Sequence, residues 1–312
     1  MKIISVVLAF FFATLASAAS LNQVVVFGDS LSDNGNMYEY MKHQLPLSPP
    51  YYHGRFSNGP VWVELLAAHY FPQNTADHVL NYAFGGAGVA EDLDEDDDTL
   101  FTLKREMDSY FLAHHNRADS HSLYIVWIGA NNYLGMPEEA DAAIQTVLTG
   151  LNHGLQRLVD AGAKHIMVLT LPNLGRIPAA RDFDAQPLMS YLALQHNELL
   201  KQSLAEFAKR HADVQWILYD INPKFEHMLD EPSTYGFSNV TDTCYESMID
   251  APSSSSRQTM LKIAAAVKPR VTQDACTGYL FFDPVHPSAL AHKIMAEQAE
   301  ILLDRSGVTF HE

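Results

Sequence analysis

The sequence predicts an α/β domain: a mainly parallel sheet of five strands with helices on both faces. Three observations predict it. Short apolar, β-branched runs alternate with stretches of helical periodicity from Val24 to the end of the chain, and strand–helix alternation of that kind implies crossovers and parallel pairing. Apolar residues make up 47% of the chain, enough for a large core and too many for wholesale disorder. No internal repeat and no Gly/Ser linker divides the 312 residues, so residues 19–312 read as one domain.

The elements follow in order. Val24-Val25-Val26-Phe27 reads as a buried strand, and Val61 to Phe71 as a helix with apolar residues at helical spacing. Val79 to Ala83 is a short strand and Leu123 to Ile128 a strong one. Ala140 to Ala161 is a long helix stopped by Gly162, and His165 to Leu171 is a strand closed by Pro172. Leu188 to His211 is a helix, Val214 to Tyr219 a strand, and Ser288 to Leu303 the last helix.

The first residues read as an address. Lys2 gives a positive start, Ile3 to Leu15 is almost unbroken apolar sequence, and Ala16-Ser17-Ala18 is a small-x-small cleavage site. Residues 1–18 are expected to be a cleaved signal peptide. The run is short for a bilayer span and no second one follows, so a secreted or periplasmic protein without a stable membrane anchor is expected. No Cys lies near the cleavage site, which disfavours a lipoprotein. Export leads to an oxidising compartment, so Cys244 and Cys276, the two cysteines, are expected to be joined.

Charge removes other classes. Against 37 acidic residues stand 20 Lys and Arg, a net charge of −17. A nucleic-acid partner needs a basic face, as does docking on anionic lipid through basic residues. Two cysteines are too few for a Cys-based zinc finger. Glu91 to Asp98 is almost entirely acidic, with Asp92, Asp94 and Asp96 at calcium-loop spacing. The sixth position is Asp97 rather than Gly and the twelfth Leu103 rather than Glu, so a solvated acidic loop is the better reading. A second irregular segment runs from Glu226 to Thr277 and contains Pro252 followed by four serines. It reads as an insertion or lid, disulfide-bounded around 244–276. Its small, polar middle, Asp250 to Arg257, is expected to be open to an activating protease.

Four motifs sit where chemistry is done. Phe27-Gly28-Asp29-Ser30 runs a strand into a turn, and open α/β sheets place their sites at the carboxyl ends of strands. A Ser there, at a helix start, has an exposed hydroxyl and a free N–H; it can be a nucleophile or merely an N-cap. Asp283-Pro284-Val285-His286 places a base and its carboxylate on one turn before the last helix. Gly85-Gly86 ends the short strand and lets backbone approach a ligand closely. Asn131, after Ile128-Gly129-Ala130, offers a side-chain amide. Three donors around one oxygen, Ser30 N–H, Gly86 N–H and the Asn131 amide, make an oxyanion hole. Neither Gly-x-Ser-x-Gly nor His-Glu-x-x-His occurs.

Gly-Asp-Ser-Leu, Gly, Asn and Asp-x-x-His in this order resemble the GDSL or SGNH hydrolases, over Val24 to about Asp304. Gly54-Arg55-Phe56-Ser57-Asn58-Gly59-Pro60-Val61-Trp62 adds a further match. Asn132 stands where many members have Asp. The resemblance implies a flavodoxin-like three-layer α/β/α sandwich, Ser30 as nucleophile, His286 as base, Asp283 as its orienting acid, and Ser30, Gly86 and Asn131 as oxyanion donors, with Gly85 the runner-up glycine. It implies no metal or organic cofactor. The leader, the Ser32-Asp33-Asn34-Gly35-Asn36 continuation and the Cys-bounded insertion resemble a secreted bacterial branch of lysophospholipases A, phospholipases A and glycerophospholipid:cholesterol acyltransferases. That implies a lipid substrate and a sterol as a second acyl acceptor. An esterase acting on acetylated sugars and a non-catalytic adhesin are the other readings. Leu45, Leu47, Tyr51, Tyr52 and Phe56, after the nucleophile, suit an acyl chain or ordinary core equally.

Overall fold

The structure is a computed structural model and describes residues 20–89, 101–245 and 276–311. The leader, the acidic run 91–98 and the Ser-rich stretch 250–257 lie outside the described residues. In chain order the strands are β1 (Ser20–Leu21), β2 (Gln23–Gly28), β3 (Val79–Asn81), β4 (Ser122–Trp127), β5 (His165–Leu169), β6 (Gln215–Tyr219), β7 (Asn239–Thr243), β8 (Tyr279–Phe281) and β9 (Thr309–Phe310). The helices are α1 (Asn36–Tyr40), α2 (Trp62–Tyr70), α3 (Leu103–Ala113), α4 (Ala130–Leu134), α5 (Ala140–Ala161), α6 (Pro178–Asp182), α7 (Gln186–Arg210), α8 (Asn222–Asp230) and α9 (Ala289–Arg305).

The five apolar runs form one parallel sheet in the order β3-β2-β4-β5-β6. Val24 to Phe27, Leu123 to Val126 and Ile166 to Leu169 are buried, as strands covered on both faces must be. Within this sheet the chain enters at β2, steps outward to β3, then returns past β2 to β4. The direction of winding reverses there, and right-handed crossovers put α2 on one face and α3, α5 and α7 on the other. The packing agrees: α9 lies against α2, and α5 lies against α3 and α7. The crevice at the carboxyl ends of β2 and β4 is therefore the switch point, where open α/β sheets hold ligands.

Helix α5 shows why the layers fit. Ile144, Val147, Leu148, Leu151, Leu155 and Leu158 make its buried stripe. Gly154 admits Met107 and Leu103 of α3, whose atoms lie 3.0–3.2 Å from where a Cβ would stand. Gly162 ends the helix at φ 111°.

The segment from Glu226 is less irregular than its sequence suggests. It begins inside α8 and includes β7, which pairs in parallel with β8. Cys244 and Cys276 are joined by a disulfide. With Tyr51, Phe56, Tyr245 and Phe282 they form a second, small core beside the end of β8. Among the described residues no helix is long and apolar enough to cross a membrane.

Candidate active site

The site grows from the end of β2. A Cβ on Gly28 would stand 2.6 Å from the Trp127 carbonyl oxygen of β4, so only glycine fits here. The chain then turns: Asp29 O accepts from Ser32 N and Asp33 N at 3.0 Å each, and Asp29 Oδ1 accepts from Leu31 N at 3.0 Å. Ser30 lies inside this turn and is only 7% exposed. This corrects two expectations. Ser30 is not at the start of a helix, since α1 begins at Asn36 with Gly35 at its N-cap, and its hydroxyl is not a surface group. The N-cap role is thereby removed.

Asp33 holds the turn against the glycine loop. Its Oδ1 accepts from Gly35 N (2.8 Å) and Asn36 N (2.6 Å), and its Oδ2 from Met37 N (3.1 Å) and Gly85 N (2.8 Å). Asn36 Nδ2 donates to Asn81 O and Ala83 O, and Asn81 Nδ2 to Ser32 O. Beneath them Glu106 Oε2 accepts from Gly28 N at 2.8 Å. Burial raises Asp29 and Asp33 to about 6, although backbone N–H groups hold the other way. Burial pushes Glu106 well above the carboxylate range.

The two glycines separate here. The Gly85 N–H is occupied by Asp33, and a Cβ on Gly85 would meet Phe56 at 2.4 Å. Gly86 has φ 76°, and among the described residues nothing accepts from its N–H or from that of Ser30. After β4, Gly129 at φ 123° turns the chain into α4, and Asn131 Nδ2 donates to Ala87 O at 2.9 Å. One amide hydrogen is used in that bond and the second remains. Asn132 closes the same joint, exchanging two 2.8 Å bonds with the backbone of Val89. Ser30, Gly86 and Asn131 thus follow three neighbouring strands, β2, β3 and β4, and their loops are pinned together.

The tail supplies the rest. After β8, Phe282 N donates to His286 O at 2.9 Å, closing a tight turn. Asp283, fully buried, accepts from Val285 N (2.9 Å) and His286 N (2.8 Å) through Oδ1. Its Oδ2 lies 2.6 Å from His286 Nδ1, and His286 Nε2 lies 2.8 Å from Ser30 Oγ. A carboxylate accepts only, so Nδ1 carries the proton and neutral Nε2 is free to accept from the serine. The Phe56 ring covers the imidazole at 5.2 Å. The structure therefore brings Ser30, His286 and Asp283, 256 positions apart at the extremes of the contact, into one hydrogen-bonded chain. The sequence offers Tyr51 only as acyl-chain lining or core, whereas its hydroxyl donates to Asp283 Oδ2 at 2.6 Å; it gives no sign of Glu106. An arrangement of this kind can move a proton from a hydroxyl to an imidazole while backbone and amide donors face a developing negative charge.

A serine linked to a histidine and a carboxylate at the switch point of a parallel flavodoxin-like sheet defines the SGNH class of hydrolase folds. The chain belongs to the GDSL-like lipase/acylhydrolase family, whose sequence model matches residues 24–299, and is an acyl hydrolase or acyltransferase of that type. It is similar to the phosphatidylcholine-sterol acyltransferase of Aeromonas hydrophila, 31% identical over 316 residues covering 92% of each chain. It is 29% identical to the thermolabile hemolysin of Vibrio parahaemolyticus over 89% of this chain and 63% of that one, and so spans less than two thirds of that relative. Among solved structures, an acetylxylan esterase from Geobacillus stearothermophilus superposes with a TM-score of 0.47 at 14% identity, covering 93% of this chain and 96% of the other.

Proposed function

We propose that the protein is a secreted or periplasmic serine esterase acting on lipid acyl esters, a lysophospholipase A with phospholipase A side activity. The observation that carries the mechanism is the run of contacts from Ser30 Oγ through His286 to Asp283, 2.8 and 2.6 Å long. His286 Nε2 takes the Ser30 proton as Oγ attacks the ester carbonyl. The carbonyl oxygen becomes an oxyanion between Ser30 N–H, Gly86 N–H and the Asn131 amide; one such donor is worth roughly 3 kcal/mol of barrier. The imidazolium, steadied by Asp283, gives its proton to the leaving alkoxide, and an acyl-Ser30 remains. Water, activated by the same histidine, releases the fatty acid and restores Ser30.

A second reading is supported by the Aeromonas relative, named a phosphatidylcholine-sterol acyltransferase and matched over 92% of both chains. On that reading a sterol hydroxyl replaces water in the second half. Secretion is supported by the apolar leader and small-residue cleavage site of residues 1–18.

The test is release of fatty acid from a lysophospholipid, a diacyl phospholipid, a short-chain ester and an acetylated sugar, each with and without cholesterol. The lysophospholipid is expected to be the best substrate, and sterol ester in place of fatty acid marks the transferase. Ser30→Ala is expected to lose activity by roughly 10⁵-fold or more while keeping its fold. Near-wild-type turnover by that variant removes the mechanism, and preference for the acetylated sugar removes the lipid assignment.

A further inference from the structure

The carboxylate beside His286 has a second side-chain donor. Tyr51 donates its hydroxyl to Asp283 Oδ2 at 2.6 Å, the same oxygen that faces His286 Nδ1. The tyrosine is 1% exposed, with its ring edge-on to Phe56 at 5.9 Å and to Phe282 at 5.0 Å. Burial, then the charge of Asp283, pushes its phenol well above the ordinary value, so it remains a donor.

We propose that Tyr51 is a positioning residue for the reaction: its hydroxyl holds the Asp283 carboxylate in register with His286 and sets how tightly that pair binds a proton. This rests on the triad reading above.

The reasoning begins with Asp283, which is fully buried and cannot turn to water. A buried carboxylate is stable only where donors replace its hydration. Two of its donors, Val285 N and His286 N, belong to its own turn and move with it. Tyr51 comes from another part of the chain, 232 positions away. Its loop is latched around the histidine: Ser57 Oγ donates to Pro287 O at 3.0 Å, and Asn58 Oδ1 accepts from Ala289 N at 2.8 Å. Tyr51 is thus the donor that refers the carboxylate to the rest of the molecule.

The sign of its effect follows. Without the hydroxyl the carboxylate has one donor fewer. It then holds a proton more strongly itself, and it stabilises an imidazolium more strongly. Both effects favour the protonated Asp283–His286 pair over the free base. Other titratable groups lie nearby: Asp29 from the turn after β2 and His292 from α9 face His286, and Tyr245 beyond β7 faces Tyr51. They are common to wild type and variant and leave the difference unchanged in sign.

The test is Tyr51→Phe, which keeps the ring against Phe56 and Phe282. The acid limb of kcat/KM is expected to move up by about one pH unit, with kcat about tenfold lower and KM within about twofold. A tyrosine that merely packs leaves the limb in place, and that result overturns the proposal. Adding Tyr51→Phe to Asp283→Asn is expected to cost nothing further, because no charge remains to be held; an independent tenfold loss overturns it. If Tyr51→Phe does not fold, 3-fluorotyrosine at position 51, a stronger donor, is expected to move the limb down, and an unmoved limb again overturns it. Asp283→Asn alone separates the two readings. Wild-type activity in that variant removes the triad and Tyr51 with it. Collapse of that variant beside an unchanged Tyr51→Phe removes the Tyr51 proposal only.

Discussion

Ser30 and His286 touch, yet the two halves of the site are held by different means. The serine half hangs from the main sheet by polar bonds between distant residues: Asp33 to Gly85, Asn36 to Asn81 and Ala83, Glu106 to Gly28. Its stability is that of the central core. The histidine half is a turn from Phe282 to His286 closed on itself, resting on a satellite cluster of Tyr51, Phe56, Tyr245, Phe282 and the Cys244–Cys276 bond. Local bonds give it shape, and the cluster gives it position. The difference teaches that damage to the serine half should appear as lost stability of the whole fold. Damage to the histidine half, whatever it costs in stability, should also appear as lost turnover per folded molecule.

The largest expected effect comes from breaking the satellite cluster. The cysteines are 32 positions apart, and on the chain-entropy model such a bridge contributes about 3–4 kcal/mol. The Cys244→Ala/Cys276→Ala pair is expected to lose that much in urea unfolding, and to lose turnover under conditions where it is still folded. Turnover that stays at wild type in folded molecules breaks the comparison, because the cluster then does not position Asp283. Next comes Asp33→Asn. An amide there must aim its N–H₂ at backbone N–H groups now held by a carboxylate, leaving buried donors without acceptors. A loss of about 2–3 kcal/mol in urea unfolding is expected; a loss under about 0.5 kcal/mol would sink the idea that this brace is structural.

The same division explains what could be read in the sequence. The five strands and long helices carry periodicity, and α5 begins and ends at the predicted residues because Gly162 is an unmistakable stop. Ser30, Gly86, Asn131, Asp283 and His286 stand at strand ends or in a short turn, where few residue types make sense. Tyr51 was legible only as a large side chain in a loop, since its meaning is a contact across the chain. Helix α3, Leu-Lys-Arg-Glu-Met-Asp-Ser-Tyr-Phe-Leu-Ala, hid because a charged residue, Glu106, lies on its buried face. Strands β1 and β9 pair over two residues each, too few for any period to show. The burial of Ser30 does not show in its local sequence, because the segment that lies over it arrives from the far end of the chain.

Glu106→Gln carries the smallest expected effect and sharpens the comparison most. Glu106 accepts from Gly28 N through Oε2, while Oε1 has no hydrogen-bond partner among the described residues. Burial, assisted by the nearby Asp29 and Asp33, holds its carboxyl well above the ordinary 4.5 and so favours the uncharged form. A glutamine is then close to isosteric and isoelectric: its carbonyl accepts from Gly28, and its amide stands where an unpaired group already stands. At pH 5 the two proteins are expected to differ by less than about 1 kcal/mol. They should part as pH rises. The unfolded wild type releases this proton near 4.5 while the folded one keeps it, so wild-type unfolding releases a proton above that pH. Wild-type stability therefore falls by up to about 1.4 kcal/mol per pH unit until the folded carboxyl itself titrates. The glutamine chain has no such proton and gains on wild type by the same slope. Urea midpoints of both proteins at pH 5, 6, 7 and 8 measure it. A gap that stays constant across that range means Glu106 is ionised in the fold, and the floor of the serine half is then a charged acceptor rather than a neutral one.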